Sequence, residues 1–141
     1  MNEITLERVE AAFAKARHSR VDDPNGLEGI VIPFEDFAVF YQVGEQLLSS
    51  TARWRAEVPA HLREQVQAFV LEQNSHLIAP TMAFEDAVDS VIFKSDHPLA
   101  EGLDYEQLDA LLHTQLQLHA AAVGMCNQRF PELVTWHKER A

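Results

Sequence analysis

The 141 residues predict an α+β fold, an antiparallel sheet meander with helices in the order α-β-β-β(-β)-α-β-β-α. Three observations carry this. Apolar residues recur at helical spacing in three separate segments. The strand-like runs are grouped rather than alternating with helices, and compact turn signals separate them. Grouped strands joined by short turns pair antiparallel, whereas parallel pairing needs a crossover between each pair. The chain reads as a single domain over 1–141, with 130–141 as a C-terminal tail. Its hydrophobic fraction of 47% and charged fraction of 23% are near globular averages. A chain of this length buries roughly 70% of its extended surface, enough for one core.

The first helix is expected over Leu6–Ala16, with Thr5 as N-cap and Leu6, Val9, Phe13 and Ala16 on one face. Asp23-Pro24-Asn25-Gly26 then supplies residues suited to successive turn positions, joining strands at Ser19–Asp22 and Leu27–Pro33. A third strand over Asp36–Val43 and a fourth over Gln46–Arg55 flank a Gly44-Glu45 turn. With Val43 opposite Gln46, Tyr41 meets Leu48, Val39 meets Ser50 and Phe37 meets Ala52. This register places Phe37, Val39, Tyr41, Val43, Leu48, Ala52 and Trp54 on one surface. The other face carries Ala38, Gln42, Leu47, Ser49, Thr51, Arg53 and Arg55, with Phe40 as its one large aromatic. One apolar and one mixed face imply helices on one side only.

Pro59 opens a helix over Ala60–Leu77 with a stripe of Leu62, Val66, Phe69, Val70 and Leu77, and Pro80 ends the segment. Thr81–Glu85 and Ser90–Ser95 read as short strands around the turn Asp86–Asp89, with Ser95-Asp96-His97 as the strand exit. The last helix starts at the N-cap Asp104, pairs it with Gln107 in a capping box, and runs to Gln128. Its stripe is Leu108, Leu111, Leu112, Leu118, Ala122 and Cys126, widened by Leu116 and Val123.

Chemistry-bearing patterns are few. No two of the seven histidines stand three or four apart on a helix, and with one cysteine there is no zinc-ligand spacing. The Asp22–Gly26 run fails as a calcium loop because Val21 and Ile32 occupy positions that need acids. Ser95-Asp96-His97 has triad residue types, but neighbours in extended chain project to opposite sides. Glu85, Asp86 and Asp89 surround a tight turn open to water. Cys126, late in the last helix, lacks the cations or helix N-terminus that activate a thiol. No glycine-rich phosphate loop occurs. His119 reads as a hydrogen-bonded interior or interface histidine, His61, His76 and His137 as solvated, and Trp54 as a core anchor. No catalytic, cofactor-binding or metal-binding residues are assigned, and no cofactor is expected.

Charge narrows the partner. Acids outnumber bases 22 to 11, a formal net charge of -11. No Lys or Arg lies between Arg20 and Arg53 or between Lys94 and Arg129. Phosphate backbones and anionic lipid bind through cations, so neither nucleic acid nor membrane is the expected partner. No stretch reaches the roughly 18 apolar residues of a membrane span. The N-terminal segment has neither a basic region nor an apolar run, so no signal peptide is expected. One cysteine fits a reducing cytoplasm.

Ile4-Thr5-Leu6-Glu7-Arg8-Val9 with Phe13, Ser19 with Asp22-Asp23, Tyr41-Gln42-Val43-Gly44-Glu45, and Ala52-Arg53-Trp54-Arg55 before Pro59 recur in order with Asn74, Pro80 and Leu103-Asp104 with Leu108 and Leu111-Leu112. In this ordered set the chain resembles the YbjN family, particularly its actinobacterial members. The sequence departs from that pattern in a short last hairpin, in the Ser95–Gly102 segment and after Phe130. The resemblance implies a fold similar to type III secretion chaperones, commonly dimeric, and a sensory-transduction or stress-regulatory role with no assigned catalysis. The expected function is therefore a non-enzymatic protein-binding regulator or chaperone-like adaptor, a homodimer that takes a protein or peptide segment. Phe34, Phe40 and Leu47, off the main core face, are the candidate contacts. The alternative is a small-molecule-binding or enzymatic domain whose pocket lies between sheet and C-terminal helix, lined by Tyr41, Trp54 and His119.

Overall fold

The computed structural model describes residues 3–23, 25–76, 79–99 and 102–136. Its elements are α1 (Leu6–Ala12), β1 (Ser19–Asp22), β2 (Glu28–Pro33), β3 (Phe37–Val43), β4 (Leu47–Trp54), a 3-10 turn (Ala60–Leu62), α2 (Arg63–Asn74), β5 (Thr81–Glu85), β6 (Ser90–Pro98), α3 (Tyr105–Arg129) and a second 3-10 turn (Pro131–Leu133). The six strands form one antiparallel sheet in the order β1-β2-β3-β4-β6-β5. This is the antiparallel α+β fold that the grouped strands imply, a meander through β1–β4, after which β6 rather than β5 pairs with β4.

Local chemistry explains the element ends. Thr5 Oγ1 accepts from the Arg8 N–H at 3.2 Å and starts α1. The helix stops at Ala12 rather than Ala16, because the Phe13 N–H turns back to the Glu10 carbonyl and the Ala14 N–H to Ala11, tightening the last turn. Asp23 Oδ1 accepts from both the Asn25 and Leu27 N–H groups at 2.9 Å, and Gly26 takes a φ of 82°. Pro24 of that turn lies outside the described residues, as do Leu77 and His137. Asp104 and Gln107 form the reciprocal capping box of α3.

Two expectations about pairing need correction. The β3–β4 register is two residues from the one inferred, with Val43 opposite Leu48, Tyr41 opposite Ser50, Val39 opposite Ala52 and Phe37 opposite Trp54. The Gly44 N–H closes on the Leu47 carbonyl at 2.9 Å, so Glu45 and Gln46 make the turn. A shift of two preserves side-chain parity, and every face assignment survives it. Strand β6 also continues through Ser95-Asp96-His97 to Pro98, because β4 extends far enough to pair with those residues.

Helices α1 and α3 lie on one face of the sheet, and α2 packs along β5 on the same side. The core between the layers contains Ile30, Ile32, Val39, Tyr41, Leu48, Ala52, Trp54, Val91 and Phe93 from strands. Helix α3 contributes Leu108, Leu112, Gln115, His119, Ala122, Val123 and Cys126. Leu118, expected in that stripe, is only half-buried, and Gln115 takes the line instead. Phe130, Leu133 and Trp136 fold back onto the core, with Phe130 edge-on to Phe69 at 5.5 Å. Among the described residues no helix is long and apolar enough to cross a membrane.

Candidate functional site

Among the described residues, nothing covers the side of the sheet away from the helices. Cross-strand register builds its rows. One runs Val31, Phe40, Thr51, Lys94 and Thr81, and the next runs Ala38, Arg53, Ile92 and Ala83. Val21 joins from β1, opposite Gly29. An antiparallel sheet that only meets water places polar side chains on its solvent face. Here Val21, Val31, Ala38, Phe40, Ala83 and Ile92 are apolar and all half-buried or exposed.

Glycine at position 29 shapes the middle of this face. A Cβ there would lie 2.3 Å from Phe40 Cε2 and 2.7 Å from the Tyr41 carbonyl oxygen. Only a residue without a side chain lets the Phe40 ring lie down over the neighbouring strand. The candidate contacts Phe34 and Leu47 mark the two ends. Phe34 is 40% exposed, stacks on Phe37 at 4.8 Å between ring centres, and shares a shallow cleft with Ala38 and Arg53. Leu47 is 41% exposed and sits opposite Pro98. Arg53 and Leu47 are six positions apart on one strand, roughly 20 Å. The structure thus brings Phe40 and Leu47 to one face but not to one spot, while Phe34 lies in the β2–β3 turn against the core residue Phe37.

The two edges of the sheet differ. Asn74, at the end of α2, donates from Nδ2 to the Met82 carbonyl at 2.7 Å and accepts the Met82 N–H on Oδ1 at 2.8 Å. Its carboxamide takes the place of a neighbouring strand at Met82 and blocks the β5 edge there. Strand β1 is exposed along its length and guarded by charge, with Arg20 bonded to Glu10 and Glu28.

Tyr41, Trp54 and His119 all lie between sheet and α3, each fully buried. His119 Nε2 meets Ser50 Oγ at 2.7 Å, while Nδ1 has no partner among the described residues. Burial alone lowers its pKa to about 4, so the ring is neutral. Tyr41 donates to the Leu112 carbonyl at 3.3 Å, and burial raises its phenol well above the ordinary range. Trp54 Nε1 donates to Asn127 Oδ1 at 2.8 Å, and Asn127 Nδ2 donates on to Asp36 at 3.0 Å. One turn before His119, Gln115 donates to the Ser95 carbonyl at 3.2 Å. Sequence reasoning missed Gln115 and Asn127. Their position on the inner line of α3 was the available signal, and their polarity hid it. Burial pushes the Cys126 thiol up to about 12. His61 and His76 are exposed, and Asp86 and Asp89 are paired with Arg63. No group of three or more potential metal ligands occurs among the described residues.

The family model named YbjN and described as "Putative bacterial sensory transduction regulator" matches residues 5–124. The chain belongs to the YbjN family. The YbjN match runs from the N-cap of α1 into the last third of α3 and includes the whole sheet. The solved structures include one titled "Crystal structure of YbjN, a putative transcription regulator from E. coli". It superposes with a TM-score of 0.70 over 89% of this chain and 93% of that one, at 11% identity. A likeness at that identity is one of fold, and it agrees with the six-stranded sheet and three helices described above. No curated protein matches the chain.

Proposed function

We propose that this YbjN chain is a non-enzymatic regulator or chaperone-like adaptor that binds another protein on the uncovered face of its sheet. The observation that carries the reading is the band of half-buried Val31, Ala38, Phe40 and Ile92 with exposed Ala83, on the side of the sheet that none of the described helices covers. An apolar band of this kind is stabilised by covering it, and a rim of polar residues marks it as a contact surface. The net charge of -11 turns the reading away from nucleic acid. Tyr41, His119 and Cys126 have the strongly shifted acidities that often mark catalysis, but burial is the main cause for each and their polar atoms face protein. The secretion-chaperone-like fold that the YbjN resemblance implies, commonly dimeric, favours a homodimer, and the single cysteine favours the cytoplasm.

Affinity capture from the native host tests the proposal. The wild-type chain, a Phe40→Ser/Leu47→Ser variant and a Leu71→Ser control are compared by mass spectrometry. Leu71 is 72% exposed on α2, away from the proposed surface. The expected result is a polypeptide retained by wild type and control and lost by the double variant. Equal recovery from all three would place binding elsewhere. Light scattering over a concentration series tests the homodimer, which a constant monomer mass would exclude.

A further inference from the structure

The uncovered face is not only apolar. Arg53 and Lys94 stand on it, exposed, and neither has an ion-pair or hydrogen-bond partner among the described residues. Thr51 lies opposite Lys94 and Arg53 opposite Ile92, so the two cations are diagonal neighbours on β4 and β6, roughly 7–8 Å apart by such spacing. Acids on the same face are Asp96, opposite Ser49, Glu85, at the end of β5, and Asp23, whose carboxylate accepts from Gln42 Nε2 at 2.8 Å two strands away from Lys94. None forms an ion pair with Arg53 or Lys94. Elsewhere the chain spends its cations differently: Arg20 is bonded to Glu10 and Glu28, and Arg63 to Asp86. A chain with twice as many acids as bases has thus placed two cations, without an ion-pair partner among the described residues, diagonally across neighbouring strands of its apolar face.

Building on the protein-binding reading, we infer that the occupant of this face is an acidic amphipathic helix of a partner protein. The sheet's own N–H and C=O groups are used in its ladders, so the face offers side chains and no backbone pairing. An occupant lying across it must satisfy its own backbone, and a helix does so internally. Apolar residues at i, i+3, i+4 and i+7 match a surface of Val31, Ala38, Phe40 and Ile92. Carboxylates beside that stripe meet Arg53 and Lys94, where charge sets orientation and discrimination.

Fluorescence anisotropy tests this with a labelled synthetic helix of about five turns, Leu on one face and Glu on the other. Companion peptides replace every Glu by Gln or scramble the order. The Glu helix is expected to bind wild type, the Gln helix at least tenfold more weakly, and the scrambled peptide not at all. Arg53→Glu/Lys94→Glu is expected to weaken the Glu helix at least tenfold, and the milder Arg53→Gln/Lys94→Gln to weaken it less. Both pairs change exposed side chains only, and unchanged melting temperatures verify the fold. Equal affinity for Glu and Gln helices, or Glu-helix binding that survives the charge reversal, would overturn the inference. The host partner separates the two levels of the argument. A protein captured through Phe40 and Leu47 whose binding the charge reversal leaves intact sinks the acidic helix and keeps the protein-binding reading. Capture independent of Phe40 and Leu47 sinks that reading itself.

Discussion

Acid should weaken this protein through one residue, His119. Its ring is fully buried between β4 and α3, and its partner at 2.7 Å is the Ser50 hydroxyl, which brings no negative charge. The ring therefore titrates at about 4 in the folded chain against an ordinary 6.5. At pH values above 6.5 neither state is protonated and the contribution to stability is complete. Between 6.5 and 4 the unfolded chain binds the proton and the folded chain does not, so stability falls as pH falls. The loss is complete below the folded value. At about 1.4 kcal/mol for each tenfold difference in proton affinity, the whole effect is about 3 kcal/mol, and about 2 kcal/mol is gone by pH 5. Urea denaturation followed by the fluorescence of Trp54 and Trp136, both buried, measures it at a series of pH values. His119→Gln is the comparison, with His119→Leu as a second variant. Both are less stable than wild type near neutrality, and the difference shrinks by about 2 kcal/mol from pH 7 to pH 5. Parallel curves for wild type and both variants would refute the reasoning.

Four further outcomes follow from single contacts. Gly29→Ala costs about 1–3 kcal/mol, because the Tyr41 carbonyl 2.7 Å from the new methyl is backbone and cannot swing away; an unchanged melting temperature contradicts this. Asn74→Ala removes both bonds to Met82, costs about 1–3 kcal/mol and speeds hydrogen exchange at the Met82 amide. Asn127→Ala leaves the buried Trp54 indole N–H without its acceptor, with a similar cost that Trp54→Phe in the same chain should reduce; strict additivity would argue against the bond. Cys126 is buried with its thiol held near 12, so the native chain should resist a thiol-disulfide reagent at pH 8 that modifies the urea-unfolded chain at once.

Patterns with a strong local cause were legible in the sequence. Thr5, Asp104 and Gln107 announce helix starts because capping is a matter of a few neighbouring atoms. The alternation of Phe37, Val39 and Tyr41 with Ala38, Phe40 and Gln42 sorts the sheet into faces whatever the turn does. The register itself depended on which two residues turn, and Gly44 was misleading because it closes the hairpin rather than forming its bend. The extension of β6 through Asp96 and His97 to Pro98 was hidden by its polar composition and depends on β4 lying alongside. Phe40 and Leu47 were recognisable as lying off the core, since strand parity decides that, whereas Phe34 lies in the β2–β3 turn where parity says nothing. The neighbouring Arg53 and Lys94 come from strands separated by α2 and β5, and only the β4–β6 pairing brings them together. For the same reason the partnerships of Trp54 with Asn127 and of His119 with Ser50 were illegible: each joins the fourth strand to the last helix.

The account rests on the uncovered sheet face being the surface that meets another protein. A photoreactive phenylalanine analogue at Thr51, in the middle of that face, tests this in living cells of the native host, with the same analogue at His113 on the exposed side of α3 as the comparison. A discrete cross-linked polypeptide from position 51, absent from position 113, is the predicted result. Cross-links from 113 with none from 51 would show that the partner sits on the helices and that the open face meets only water.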